Sequence, residues 1–135
     1  MRSIALILAL ALPSVALADA DPTMRLHFID VGQGDATLVE FPCGAMLVDT
    51  GAEVNDEFDG VAQLESYLAA FFARRTDLDE LDLLLITHQH IDHVRGIQSV
   101  LNNYQVESIV DNGQRPGSSL TAPYLAAVDA YVDAH

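Results

Sequence analysis

Lysine is absent from this chain of 135 residues, and cysteine occurs once, at Cys43. Six arginines face 20 acidic residues, for a formal charge of −14. Binding a long nucleic acid requires a basic face that displaces counterions, and none can be assembled here. Attraction to an anionic membrane surface is disfavoured for the same reason. A lone cysteine allows no intramolecular disulfide and no cysteine-based zinc knuckle. Long hydrophobic runs are missing too: the longest apolar stretch, residues 4–18, is 15 residues, short of the ~20 that span a bilayer. Internal repeats and low-complexity tracts are also absent.

What is present begins with a leader. Met1-Arg2-Ser3 is a basic start, residues 4–12 are unbroken apolar, and Ala16-Leu17-Ala18 is a small-x-small cleavage site. This is the plan of a secretory signal peptide over residues 1–18, and Pro13 favours cleavage over an uncleaved anchor. No cysteine stands at the cleavage point, so lipoprotein processing is not indicated. The expected location is periplasmic or secreted. Removing 18 of 135 residues leaves 117, one modest domain over residues 19–135, and loss of Arg2 takes the charge from −14 to −15.

The mature part is punctuated as an α/β chain. Residues 24–30 alternate as a strand with Leu26 and Phe28 on one face, and strands follow at 36–41 and 45–49 across a Pro42-Cys43-Gly44 turn. Val61, Leu64, Leu68, Phe71 and Phe72 recur at helical spacing, with Asp59 placed to cap and Arg74-Arg75 at the C-terminal end. Residues 81–86 read as a strand buried on both faces. A helix carrying Val94, Ile97, Leu101 and Tyr104, a strand at 106–110 and a helix at 123–133 complete the order. Tight turns make the first three strands alternate, and the helical crossover makes the third and fourth parallel. Four segments therefore meet at one edge: residues 32–35, 49–51, 88–93 and 111–113. Ligands of open α/β sheets bind at such an edge. Cys43 belongs to the opposite one.

The chemistry is concentrated in Thr87-His88-Gln89-His90-Ile91-Asp92-His93. In extended backbone His88 and His90 leave on the same side and can reach one metal. Asp92 and His93 are adjacent and diverge, which suits a second metal or a base beside the first. Imidazole and carboxylate are good zinc ligands, and zinc brings the pKa of bound water to about 7. The competing account is a loop rich in histidine by chance, against which the preceding apolar strand argues.

This segment resembles the T-H-x-H-x-D-H motif of the metallo-β-lactamase-fold superfamily, and Val48-Asp49-Thr50-Gly51 is similar to its D-T-G element. Phe28-Ile29-Asp30-Val31-Gly32-Gln33-Gly34-Asp35-Ala36 resembles the opening of the branch found in competence-type DNA-uptake proteins and their soluble exported relatives. The resemblance covers residues 24–112. It implies an αββα sandwich of which this chain holds the first αβ half, and metal-dependent hydrolysis with up to two zinc ions. It further implies His88 and His90 on one metal, Asp92 and His93 on the other, and Asp49 bracing the ligand loop behind them. Gly32 and Gly34 would admit substrate close to the backbone, with Gln33 or Asp35 offering polar contacts; a glycine turn needed only for its backbone angles explains them as well. Arg95 departs from the pattern, standing where a second glycine is common.

The family's remaining ligands come from a second half, and His135 lies only 42 positions past His93. A chance terminal histidine explains His135 better than a third ligand does, and His27 reads as a packed or surface residue. Two function classes follow. One is a zinc hydrolase in which metal-bound hydroxide attacks a phosphodiester or a carboxylic ester or amide-type bond of a small substrate, with Asp92 orienting it or taking its proton. The other is a truncated, non-catalytic remnant or interaction module that self-associates or needs a partner to complete the fold. Export is directly testable: N-terminal sequencing of the expressed protein should begin at Asp19 or Asp21, and a chain that still starts at Met1 rejects the leader.

Overall fold

The computed structural model describes residues 23–114 and 121–135. The leader expected over residues 1–18 lies outside these residues. A sheet of five strands runs in the order β1 (Arg25–Phe28), β2 (Thr37–Phe41), β3 (Gly44–Val48), β5 (Leu83–Leu85), β7 (Ile109–Val110), and β4 (Glu80–Leu81) and β6 (Gln105–Val106) form a separate pair. The first three strands, β1 (Arg25–Phe28), β2 (Thr37–Phe41) and β3 (Gly44–Val48), are joined antiparallel as a meander. Helix α1 (Gly60–Arg74) crosses over, and β5 (Leu83–Leu85) then lies parallel to β3. The chain continues through α2 (Ile91–Val94) and α3 (Ile97–Asn103) to β7 (Ile109–Val110), parallel to β5, and ends in α4 (Ala122–Ala134).

Local chemistry explains the boundaries. The Asp59 carboxylate accepts the Ala62 N–H at 3.0 Å and caps α1, and Arg74 lies in its last turn. Asn55 Oδ1 accepts the N–H groups of Glu57 and Phe58, which orders the acidic loop before the helix. The expected strand at 81–86 is divided: β4 (Glu80–Leu81) pairs with β6 (Gln105–Val106), and β5 begins after Asp82. The cause is Asp82, whose backbone N–H donates to Ala45 O while its carboxylate accepts the Ala45 N–H at 2.6 Å. The expected strand at 106–110 divides at the same level. The helix expected to start near Val94 begins at Ile91 and breaks at Gly96.

Strand register divides the apolar residues between two faces. Leu38, Leu47 and Leu84 stand in one cross-strand row, fully buried beneath Leu64, Leu68 and Phe71 of α1 and Ile97 and Val100 of α3. The neighbouring row, Phe28, Thr37, Val48, Leu85 and Val110, points the other way. No layer covers that outer face among the described residues: Phe28 is 78% exposed, and Leu26 and Val110 are about half exposed. Strand β5 is thus buried on one face rather than both. Phe28, Val48, Leu83 and Leu85 share the open face, whereas Leu38 belongs to the core.

The end of the sheet away from the chemistry is closed by a charge cluster. Glu40, 1% exposed, accepts two hydrogen bonds from Arg74 at 2.9 and 3.1 Å, one from Arg75 at 2.9 Å and one from His27 Nε2 at 2.9 Å. Arg75 also donates to Phe41 O, Pro42 O and Asp77, so one guanidinium ties α1 to the β2–β3 turn. The Arg74 hydrogen bonds, aided by Arg75 and His27 and opposed by burial, hold the Glu40 carboxyl down at about 2, against an ordinary 4.5. A depressed carboxyl pKa contributes stability that is complete above the unfolded value and lost as pH falls through the folded one. Urea titrations should show Glu40→Gln destabilised by about 3 kcal/mol at pH 7. The gap to the parent should close between pH 4.5 and 2; a gap that stays constant across that window rejects the cluster's role.

Candidate metal centre

Residues 87–93 emerge from β5 at the edge where β3, β5 and β7 all end. Their anchor is Asp49, fully buried at the end of β3 in the left-handed region at φ 56°. That conformation is costly for a residue with a side chain and persists only where surroundings enforce it. Here three donors enforce it. The carboxylate accepts the Thr87 N–H at 2.8 Å, the Thr87 hydroxyl at 2.6 Å and His93 Nδ1 at 2.8 Å.

These bonds determine which ring nitrogens are available. A carboxylate only accepts, so His93 carries its proton on Nδ1 and presents Nε2. The Thr87 hydroxyl spends its single proton on Asp49, so it accepts from His88 Nδ1 at 3.1 Å, and His88 likewise presents Nε2. One buried carboxylate thus sets the tautomer of two histidines, one directly and one through a hydroxyl.

The glycine loop braces the same segment from the other side. The Asp35 N–H donates to Asp92 O at 3.3 Å, and Gly51 N–H donates to Asp35 O at 2.7 Å. A Cβ on Gly34, which sits at φ 126°, would run into Asp92 O, so only glycine lets the loop approach. Thr50 donates its backbone N–H and hydroxyl to His93 O. Gln33 is held through its N–H to Glu53 Oε2, and the Asp35 carboxylate accepts the Thr37 hydroxyl; neither Gln33 nor Asp35 is buried.

Three imidazoles gather as a result. The His88 ring centroid lies 3.9 Å from that of His93 and 4.7 Å from that of His90. Asp92 Oδ2 stands 3.9 Å from His93 Nε2. That gap is too long for a hydrogen bond and close to the separation of two ligands on one zinc, whose bonds are ~2.0–2.2 Å. In kind the donor set suits a divalent metal. It is open, however: among the described residues no three His, Cys, Asp or Glu side chains converge on one point as a complete ligand set. The other histidines are elsewhere. His27 joins Glu40 and Tyr67, and His135 stacks on Tyr131 and bonds its carbonyl. Cys43 is exposed in the turn at the far edge.

Sequence reasoning did not single out Thr50 or Glu53, whose roles arise from backbone contacts across the fold. It noted Arg95 only as a departure, although a cation two residues after the histidine motif in so acidic a chain is a signal in itself.

The described residues thus form an α/β layer with a histidine–aspartate loop at the carboxyl edge of its sheet. The model of the metallo-beta-lactamase superfamily matches residues 29–130, and the chain belongs to that superfamily. A relative is Endoribonuclease ysh1 of Schizosaccharomyces pombe, 29% identical over 89 residues. The match takes in 62% of this chain but spans only 11% of that protein's length.

Removal of the Asp49 acceptors should be felt both in the fold and at the loop. Asp49→Ala removes the shared acceptor of Thr87, which is exposed, and of His93, which is partly buried, so water can meet part of what is lost. Chemical denaturation should show a loss of about 1–2 kcal/mol, and zinc affinity by competition with a chromophoric chelator should drop roughly 10–100-fold. Unchanged affinity would assign Asp49 to stability alone.

Proposed function

We propose that this protein is a zinc-dependent hydrolase acting on a small phosphodiester or a carboxylic ester or amide-type substrate outside the cytoplasm. The observation that carries the proposal is the His88, His90, His93 cluster, in which Asp49 engages Nδ1 of His93 directly and Nδ1 of His88 through the Thr87 hydroxyl, leaving each Nε2 for a ligand. His88, His90, Asp92 and His93 would hold the metal. Zinc so held supplies Lewis acidity and makes water a nucleophile near neutral pH.

The chain's own residues do the rest. Asp49 keeps His93 directly, and His88 through the Thr87 hydroxyl, in one tautomer, which lessens the reorganisation needed when a cation is bound. Asp92 presents Oδ2 beside His93 Nε2 and can take a proton at that atom from an attacking water. Gly34 keeps the loop before β2 pressed on the Asp92 backbone, which limits how far the carboxylate can wander. Membership in a superfamily rich in hydrolases supports this, as does the likeness to a relative named an endoribonuclease. The −14 charge favours a small substrate over a polymer.

The exposed apolar row Leu26, Phe28 and Val110 favours a second reading, an interaction module whose sheet is covered by a partner or a second copy. One set of samples separates the two. Zinc should bind the mature chain, His88→Ala plus His90→Ala should abolish binding, and chelator-sensitive turnover of a chromogenic phosphodiester or ester should vanish with it. Zinc binding unaltered in the double variant rejects the ligand assignment. A chain that self-associates or binds a hydrophobic dye, with no turnover at any zinc concentration, favours the interaction module.

A further inference from the structure

We propose that the outer edge of β1 is an interface between two copies of this chain, whose β1 strands pair antiparallel about a two-fold axis and join two five-stranded sheets into one. The proposal goes beyond the hydrolase reading and uses none of the candidate metal ligands.

Strand β1 is the end strand of its sheet and pairs with β2 alone. Just beyond it, the Ile29 N–H donates to Ala36 O at 3.0 Å. Along an antiparallel strand the residues bonded to one neighbour recur at every second position. Arg25 and His27 therefore turn their backbone groups to β2, and Leu26 and Phe28 turn theirs outward. There the N–H and C=O groups of Leu26 and Phe28 meet no acceptor or donor among the described residues. An edge of this kind is a template for another strand unless proline, a bulge or an exposed charge blunts it. Residues 25–28 contain no proline and pair with β2 without a bulge, and Arg25 is drawn to Glu40 at 3.6 Å. A cleft of about 330 Å³ between the end of β1 and α1 leaves room beside the edge.

Charge selects a second copy as the occupant. Strand β1 and helix α1 run side by side in opposite directions. At one end Arg25 and Arg74 share Glu40, each with its side chain half exposed. At the other end Ile29 and Asp30 lie with Gln63, one turn past the Asp59 cap. A two-fold axis perpendicular to the sheet brings the basic end of each copy to the acidic end of the other. Between the ends, α1 lines the cleft with Gln63, Ser66, Tyr67 and Ala70, none of them charged. In a protein of charge −14, this is a surface on which two copies meet without like charges opposed. Pairing Leu26 with Phe28 of the second copy, and the reverse, engages the outward groups of both strands. It also makes cross-strand pairs on the open face from side chains of residues 52% and 78% exposed.

The test combines sedimentation equilibrium with amide hydrogen exchange on the mature chain. A dimer should form as concentration rises, and the Leu26 and Phe28 N–H groups should become protected as it fills. The His27 N–H, turned to β2, should be protected at every concentration. Leu26→Pro removes an outward donor that β2 does not use and should weaken association roughly tenfold or more. Ala70→Glu changes an exposed residue of α1, so its urea midpoint in dilute solution should match the parent while its association weakens. The dimer is expected with or without zinc, so failure of the hydrolase reading leaves it standing. A chain that stays monomeric at millimolar concentration overturns the proposal. So does a dimer in which Leu26 and Phe28 still exchange freely, since its contact lies elsewhere, as on the open face of the sheet.

Discussion

The arrangement of the candidate centre depends on one buried carboxylate. Asp49 is fully enclosed, and a buried charge is tolerable only when its oxygens are met by donors. Those donors come from two places: Thr87 at the exit of β5, and His93 within α2 beyond it. Satisfying Asp49 therefore draws both ends of the loop to the end of β3. His88 and His90 lie between those ends and are carried to the same spot. The positive φ of Asp49 is part of this constraint, since it turns the side chain under the loop rather than along the strand.

A second buried carboxylate works at the other end of the same sheet. Glu40 pairs in register with Ala45, while Thr37, at the opposite end of β2, pairs with Val48 next to Asp49. Glu40 collects arginines from α1 and so holds the helix against the meander, whereas Asp49 collects uncharged donors and a histidine. The chemistry differs because the tasks do. Arginine cannot lose its proton and gives a permanent clamp; histidine with Nδ1 engaged keeps a lone pair for a ligand.

Between these two ends the sheet is well covered on one face only. The helices α1 and α3 bury the row through Leu38, Leu47 and Leu84, and the opposite row remains open at Phe28 and Val110. Superfamily membership over residues 29–130 and the short span shared with the much longer ysh1 are consistent with a first αβ layer of the fold. Within the described residues no helix is long and apolar enough to cross a membrane.

Much of this was legible in the residues. The α1 stripe, the Asp59 cap, the meander and the edge at which the loops meet all follow from local periodicity, turn residues and the handedness of crossovers, which act over a few positions. The histidine–aspartate spacing likewise pointed to the loop where three imidazoles gather. Other features were decided by contacts between distant segments. Asp82 splits a strand because it meets Ala45 across the sheet, which no window around Asp82 contains. Whether Leu38 faces the core or the open side is settled by its pairing with Leu47, because a one-residue slip in register exchanges the faces. Arg95 looks like any substitution of a glycine in the sequence. Only the fold shows that Glu53 accepts the Gln33 N–H and the Asn55 amide, and that Arg95 Nε is buried without a hydrogen-bond partner.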